Sequence, residues 1–204
     1  NTAPTFKFKS GINVAQIQFA KPSTIAEAVD CLSSIKDGAK ILAGGTDLLV
    51  QLRSGNLNTG TIVDIKNISE VGRITTEKGG FRIGAAVSGA ELGENFDVIQ
   101  AWPGVVEALE LIGSTQIQSR ASLGGNLCNG SPAADSVPAM IAADATCSIA
   151  GPNGNREIKV ENMITAPGRT ALAHGEFLVS FFLPARPPHS SDAYLRFIPR
   201  TEMD

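Results

Sequence analysis

The 204-residue sequence predicts an α+β protein of two lobes, and three features predict it. Apolar residues switch between short continuous runs, which suit buried strands, and helical spacing. The first third runs helix, strand, turn, helix, strand, whereas the remainder reads as a strand, helices, a hairpin and closing strands. Glycine pairs stand at two junctions, Gly44-Gly45 and Gly124-Gly125. Residues 1–15 read as an N-terminal extension, 16–70 as the first lobe and 71–204 as the second.

In the first lobe, Thr24 and Glu27 form a capping box ahead of Ile25, Ala28, Val29, Leu32 and Ile35, which share one helical face. Gly38 ends that helix. Lys40 to Ala43 reads as a buried strand, Gly44-Gly45-Thr46 as a turn, Asp47 to Arg53 as a short helix and Thr61 to Ile65 as a strand. In the second lobe FRIGAAV, from Phe81, is strand-like, and Ser88 with Glu91 repeats the capping box. Trp102-Pro103 begins a helix carrying Val105, Val106, Leu109 and Ile112, with proline suited to the first turn. Gly-Pro-Asn-Gly at 151–154, between Thr146–Ile149 and Glu157–Val160, signals a hairpin. EFLVSFFLP and AYLRFIPR close the chain as strands.

A net charge of −3 argues against nucleic acid, whose phosphates demand a basic face. An acidic protein still holds one phosphate group through backbone N–H groups and helix ends. Cys31, Cys128 and Cys147 lie far apart with no CxxC pair, so neither a disulfide framework nor a zinc or iron–sulfur site is expected. His174 and His189 sit in polar, Pro-rich surroundings and read as surface residues, so no metal site is expected. The N-terminus shows no apolar signal-peptide core, and FLVSFFLP is far too short to span a bilayer. The expectation is a cytoplasmic protein without a membrane span.

ILAGGTDLL (41–49) has two readings. Without β-carbons, Gly44 and Gly45 would let phosphate oxygens reach the backbone amides, with Thr46 adding a hydroxyl. Alternatively the stretch is a turn before a helix capped by Thr46 or Asp47, the acid favouring the helix dipole by itself. Gly124-Gly125-Asn126 offers a second approach free of side chains and shifts the balance toward a ligand. Asp135 heads an apolar helix (Val137, Met140, Ile141, Ala142), where capping is the simpler role and accepting from ligand hydroxyls the alternative. GxGxxG, GxxxxGK[ST] and GxSxG are all absent. Two glycine approaches and few candidate acids or bases fit a protein that holds a cofactor and lets it do the chemistry.

ILAGGTDLLVQLRSG, SLGGNLCNGSPAADSVPA, GEFLVSFFLP and YLRFIPRTEMD, in that order, resemble the FAD-binding module of the molybdenum hydroxylases. The resemblance covers roughly residues 16 to 204 and implies that family's two-lobed FAD-binding fold. It places Leu42, Ala43, Gly44, Gly45, Thr46, Asp47, Leu48 and Leu49 in a first FAD loop, with Gly44 to Thr46 on the diphosphate. Ser122, Leu123, Gly124, Gly125 and Asn126 match a second loop near the phosphates and ribityl chain. Asp135 matches an acid on the flavin side. Ile112 and Leu178 match apolar positions near the rings, Ile112 standing where the family can have Phe. Arg196 falls where the family often has Lys.

The resemblance also implies an electron-transfer role without a catalytic side chain. Electrons would come from iron–sulfur and molybdopterin subunits and leave to an external acceptor. The family's [2Fe–2S] and molybdopterin groups would be carried by partners, and its further C-terminal domain is not among these residues. A self-sufficient FAD-dependent oxidoreductase and a non-catalytic nucleotide-binding module remain as alternatives.

Overall fold

The computed structural model describes residues 17–35, 38–55, 57 and 59–198. The N-terminal extension and the end of AYLRFIPR lie outside these residues. The first lobe holds β1 (Gln18–Ala20), α1 (Ile25–Ser34), β2 (Ala39–Leu42), α2 (Leu48–Arg53) and β3 (Thr61–Asp64). Its three strands are parallel in the order β1-β3-β2, with Ala39 opposite Thr61 and Leu42 opposite Asp64. Parallel neighbours need crossovers, which α1 and α2 supply. Ala28 and Leu32 of α1 pack in one cluster with Val63 of β3.

Two expectations shift here. Thr24 Oγ1 accepts from Glu27 N at 3.1 Å, but the Glu27 carboxylate turns to Ser23 N (2.7 Å) and Ser23 Oγ (2.9 Å). The box is therefore displaced by one residue, and Ser23 draws the Glu27 pKa down. Strand β2 starts at Ala39 and is only half-buried, because it lies at the edge of its sheet.

The second lobe begins with β4 (Ile74–Glu77) and β5 (Gly80–Gly84). Six helices follow: α3 (Gly89–Gly93), α4 (Phe96–Ala101), α5 (Pro103–Glu110), α6 (Thr115–Gln118), α7 (Leu123–Asn129) and α8 (Ser136–Ala142). The hairpin β6 (Thr146–Gly151) and β7 (Gly154–Lys159) comes next, then the small pair β8 (Ile164–Ala166) and β9 (Arg169–Thr170), and finally β10 (Phe177–Leu183). The five-stranded antiparallel sheet runs β4-β5-β10-β6-β7, so the last strand lies at its centre. Helix α5 starts at Pro103 as expected but ends at Glu110, leaving Ile112 beyond it.

Strand β10 joins the two lobes. Phe177 and Val179 pack in the cluster of α1 and β3, whereas Leu178, Phe181 and Leu183 pack with the helices of the second lobe. A strict period of two cannot put both 178 and 181 on one face. The β-bulge between Leu178 and Ser180 against β6 changes the phase and makes both packings possible.

Over its described residues, 193–198, the expected closing strand is not one. Residues 184–198 form no ladder and run as a strap held by side chains. Trp102 Nε1 donates to Pro184 O (2.9 Å), Gly104 N to Asp192 Oδ2 (2.8 Å) and Tyr194 N to Glu107 Oε2 (2.8 Å). Arg186 pairs with Asp192.

Two glycines let backbone lie on backbone between segments distant in sequence. A β-carbon on Gly44 would fall on the Arg120 carbonyl, 2.6 Å from its carbon. One on Gly124 would stand 2.8 Å from Ala85 Cβ and closer still to the Ala85 carbonyl oxygen, which accepts from Gly124 N at 3.2 Å. Gly44→Ala should therefore destabilise the protein by about 1–3 kcal/mol in urea unfolding, the range for overpacking a tight site. An unchanged midpoint would mean that the contact is loose.

The loop from Ala171 to Glu176 is fastened by charge. Arg156 grips Glu176 through Nε (2.8 Å) and Nη2 (2.7 Å) and also donates to Ala171 O (2.9 Å), while Ala173 N donates to Glu176 (2.7 Å). The Arg156 side-chain hydrogen bonds hold the Glu176 carboxyl below its ordinary value of 4.5. A lowered folded pKa gives stability that is present above the unfolded value and lost as pH falls through the folded one. Glu176→Gln should cost about 1–2 kcal/mol at neutral pH, discounted for the partly exposed arginine. The stability gap between wild type and variant should stay constant down toward pH 4.5 and close below it; a gap independent of pH would refute the assignment.

Candidate functional site

The two glycine turns, brought together by these seams, border one cleft of about 560 Å³. The first wall is the turn from β2 to α2, with Ala43, Gly44, Gly45, Thr46, Asp47 and Leu48 all on the cleft. Gly45 has φ +83°, a left-handed conformation that glycine adopts without penalty. Leu49 N closes the turn onto Gly45 O at 3.0 Å. Among the described residues, the N–H groups of Gly45, Thr46, Asp47 and Leu48 meet no protein acceptor. Four unsatisfied amides at a helix start are the expected consequence of a missing cap. Asp47 does not supply one: it sits in helical conformation and makes no capping bond. It is exposed at the rim, although partial desolvation by the cleft walls pushes its carboxyl pKa up.

The second wall is the start of α7. The sequence suggested a loop, but Gly124, Gly125 and Asn126 form its first helical turn. Its donors are already used, since Gly124 N bonds Ala85 O, Gly125 N bonds Ser122 Oγ (3.1 Å) and Asn126 N bonds Ser122 O (3.0 Å). Asn126 Oδ1 accepts from Ser136 Oγ at 2.6 Å. The two glycine pairs thus have different physical reasons. Gly44 and Gly124 make room for the chain's own backbone, Gly45 permits the turn, and a β-carbon on Gly125 would meet only Ser122 Oγ, at 3.3 Å.

A third wall, unanticipated from sequence, runs from Leu172 to Glu176, with Gly168 nearby. His174 is exposed, as its surroundings suggested, yet it stands on this wall. Its Nε2 lies 3.2 Å from Ser33 O, and since a carbonyl only accepts, that nitrogen carries the hydrogen. Ile65, Ile112, Leu178 and Cys128 supply apolar surface. Burial pushes the Cys128 thiol up to about 12, and burial with the neighbouring Cys128 does the same for Cys147, so both are protonated at neutral pH.

Of the residues expected at a ligand, Leu42, Leu49, Leu123, Asp135 and Arg196 do not line the cleft. Leu42 and Leu49 flank Gly45 from behind, and Leu123 is 1% exposed in the helical core. The capping role drawn for Asp135 is not realised: it holds the N-cap position in helical conformation without a capping bond. Its two oxygens face the strap instead, accepting from Tyr194 Oη (3.0 Å) and Arg196 Nη1 (3.3 Å). Burial, then the bond to Asp135, raises the Tyr194 pKa. Arg196 also donates to Leu111 O (3.1 Å), next to cleft residue Ile112. Gln51 and Asn129 line the cleft and were missed; the one available signal was the placement of Gln51 three residues after Leu48, on the same face of α2.

Residues 15–186 match a family described as the FAD binding domain in molybdopterin dehydrogenase. The putative xanthine dehydrogenase FAD-binding subunit of Escherichia coli K12 is 37% identical over 188 residues, covering 91% of this chain and 64% of that protein. The nicotinate dehydrogenase FAD-subunit of Eubacterium barkeri is 30% identical over 191 residues, with the same coverage of both. In the solved carbon monoxide dehydrogenase from Hydrogenophaga pseudoflava, which lacks the Mo-pyranopterin moiety, a chain superimposes with a TM-score of 0.87 at 28% identity. That superposition covers 91% of this chain and 65% of the other. This chain therefore spans just under two thirds of the length of these relatives. A cleft with apolar surface beneath and, on one wall, amides that meet no acceptor among the described residues suits a dinucleotide, and the chain belongs to the FAD-binding domains of the molybdopterin dehydrogenases.

Proposed function

We propose that this chain is the flavin-carrying part of a molybdenum hydroxylase, relaying electrons from a partner's iron–sulfur clusters to an external acceptor. The observation that carries the reading is the set of amides at Gly45, Thr46, Asp47 and Leu48 that meet no acceptor among the described residues, inside a cleft of this family. These N–H groups would hold the diphosphate, with the Thr46 hydroxyl beside them. Donors fixed by the turn lose little freedom on binding, and they place positive potential on a protein whose net charge is −3. Ser122 to Asn126 would pack along the phosphates and sugar chain, with the amides of Gly124, Gly125 and Asn126 already used within the protein. Ile112 and Leu178 would form apolar surface beside the rings. Asp135, paired with Arg196, which also donates to Leu111 O, would act from the outer edge of the Ile112 wall.

When bound, FAD would supply the redox chemistry, taking electrons one at a time from an iron–sulfur donor and giving them up singly or in pairs. The chain's own residues bind it, orient it and shield part of it from water. Iron–sulfur and molybdopterin groups would belong to partner subunits, as the names of the relatives suggest for an FAD subunit. The free thiols Cys31, Cys128 and Cys147 support a cytoplasmic location, and no helix among the described residues is long and apolar enough to cross a membrane.

One observation favours a self-sufficient flavoenzyme. His174 gives the cleft wall an imidazole, a group able to serve as general base. Turnover separates the two readings. The isolated chain loaded with FAD should take electrons from dithionite and pass them to a dye, yet oxidise neither xanthine, nicotinate nor carbon monoxide. Substrate oxidation by a metal-free preparation would overturn the relay.

Gly125→Ala tests the second wall. The added methyl meets little of the protein, and alanine favours helix, so stability should change by no more than about 1 kcal/mol. FAD affinity, followed by quenching of flavin fluorescence, should fall about tenfold or more. Wild-type affinity in this variant would remove α7 from the cofactor contact.

A further inference from the structure

Gln51 of α2 and Asn129 of α7 line the cleft but have no part in the assignments above. Gln51 Nε2 donates to Asn129 Oδ1 at 3.0 Å, a part-buried bond that ties the helix after the first glycine turn to the helix begun by the second. A carboxamide offers two N–H donors and one oxygen acceptor. Once the mutual bond is made, Gln51 keeps its oxygen and its second N–H, and Asn129 its NH2, and among the described residues none of these has another protein partner. Exchanging oxygen and nitrogen in both amides reverses the mutual bond and leaves the donor on Gln51 and the acceptor on Asn129. Either assignment yields the same result. The pair leaves at least one free donor and one free acceptor on residues that line the cleft.

The position of the pair says what it meets. A long helical side chain covers the turn N-terminal to its own Cα. Gln51 therefore leans toward the amides of Gly45 to Leu48, three to six residues before it. In FAD the groups adjoining the diphosphate are hydroxylated chains, the ribityl on one side and the ribose on the other. A hydroxyl both donates and accepts, which is what the pair offers. We infer that Gln51 and Asn129 form a clamp for sugar hydroxyls next to the diphosphate, and so contribute to affinity for the cofactor. The inference rests on the FAD reading of this cleft.

Binding to the purified chain, stripped of cofactor, tests it by calorimetry with FAD, FMN and ADP, alongside the melting temperature of the cofactor-free protein. Gln51→Leu and Asn129→Leu should each raise the Kd for FAD about tenfold, and the double variant should lose less than the product of the two, because the clamp acts as a unit. The melting temperature should move by only a few degrees. If the hydroxyls are those of the ribityl chain, FMN binding weakens in parallel; if they are those of the ribose, ADP binding does. Asn129→Ser, which is smaller and still polar, provides a second variant should leucine disturb folding, and it should also weaken FAD. Wild-type affinity for FAD in folded variants, with a lowered melting temperature, would show that the pair is only a brace and overturn the clamp alone. A wild-type chain that binds no FAD would overturn the cofactor reading and the clamp with it.

Discussion

Everything around the cleft depends on the absence of two β-carbons. At Gly44 the first turn rests on the Arg120 carbonyl, and at Gly124 the start of α7 rests on Ala85. Backbone lying directly on backbone leaves no slack, because packed interiors hold few voids and tolerate little added volume. These two seams set the start of α2 beside the start of α7. The residues usually credited with making room for a ligand thus make room for the protein itself. The ligand's space follows as a consequence, between turns whose separation is already fixed.

Strand β10 does for the whole molecule what the seams do for the cleft. Its seven residues run through the middle of the five-stranded sheet, and its bulge lets one strand contribute Phe177 and Val179 to one core and Leu178, Phe181 and Leu183 to the other. Leu178 is also part of the cleft surface. The cofactor wall and the joint between lobes are therefore the same strand, and a disturbance of packing on either side reaches the site through a rigid element. After β10 the chain gives up ladder bonds and is held by side chains, with Asp135 taking Tyr194 and Arg196.

The electrostatics of the cleft are those of a backbone site. The protein carries a net charge of −3, and among the described residues the turn leaves four amides without an acceptor at the start of a six-residue helix. A capping side chain would have consumed some of these donors, and Asp47 makes no such bond. At α7 the reverse holds: Ser122 caps the helix, and the amides of Gly124, Gly125 and Asn126 are spent on structure. Two glycine turns of similar appearance thereby do different physical work, one presenting donors and the other presenting surface.

The sequence by itself determined the class of fold, the alternation of helix and strand in the first lobe, the hairpin across Pro152-Asn153 and the helix begun at Pro103, and it singled out the two glycine turns as candidate contact points. These are local properties, carried by periodicity, caps and turn residues within a few positions. The family resemblance added the cofactor. Tertiary structure alone decided that Gly44 and Gly124 face other segments of backbone, since nothing near them in sequence records Arg120 or Ala85. It alone made Asp135 a partner of the strap instead of a cap, because the competing donors, Tyr194 and Arg196, arrive from about sixty residues away. The third wall was equally hidden. His174 reaches the cleft because Arg156 and Glu176 hold its loop and Ser33 takes its ring N–H, and none of these contacts leaves a mark on the local pattern. AYLRFIPR reads as a strand, yet its described residues 193–198 form none, because a strand needs a neighbour to supply its ladder and no described strand pairs with them.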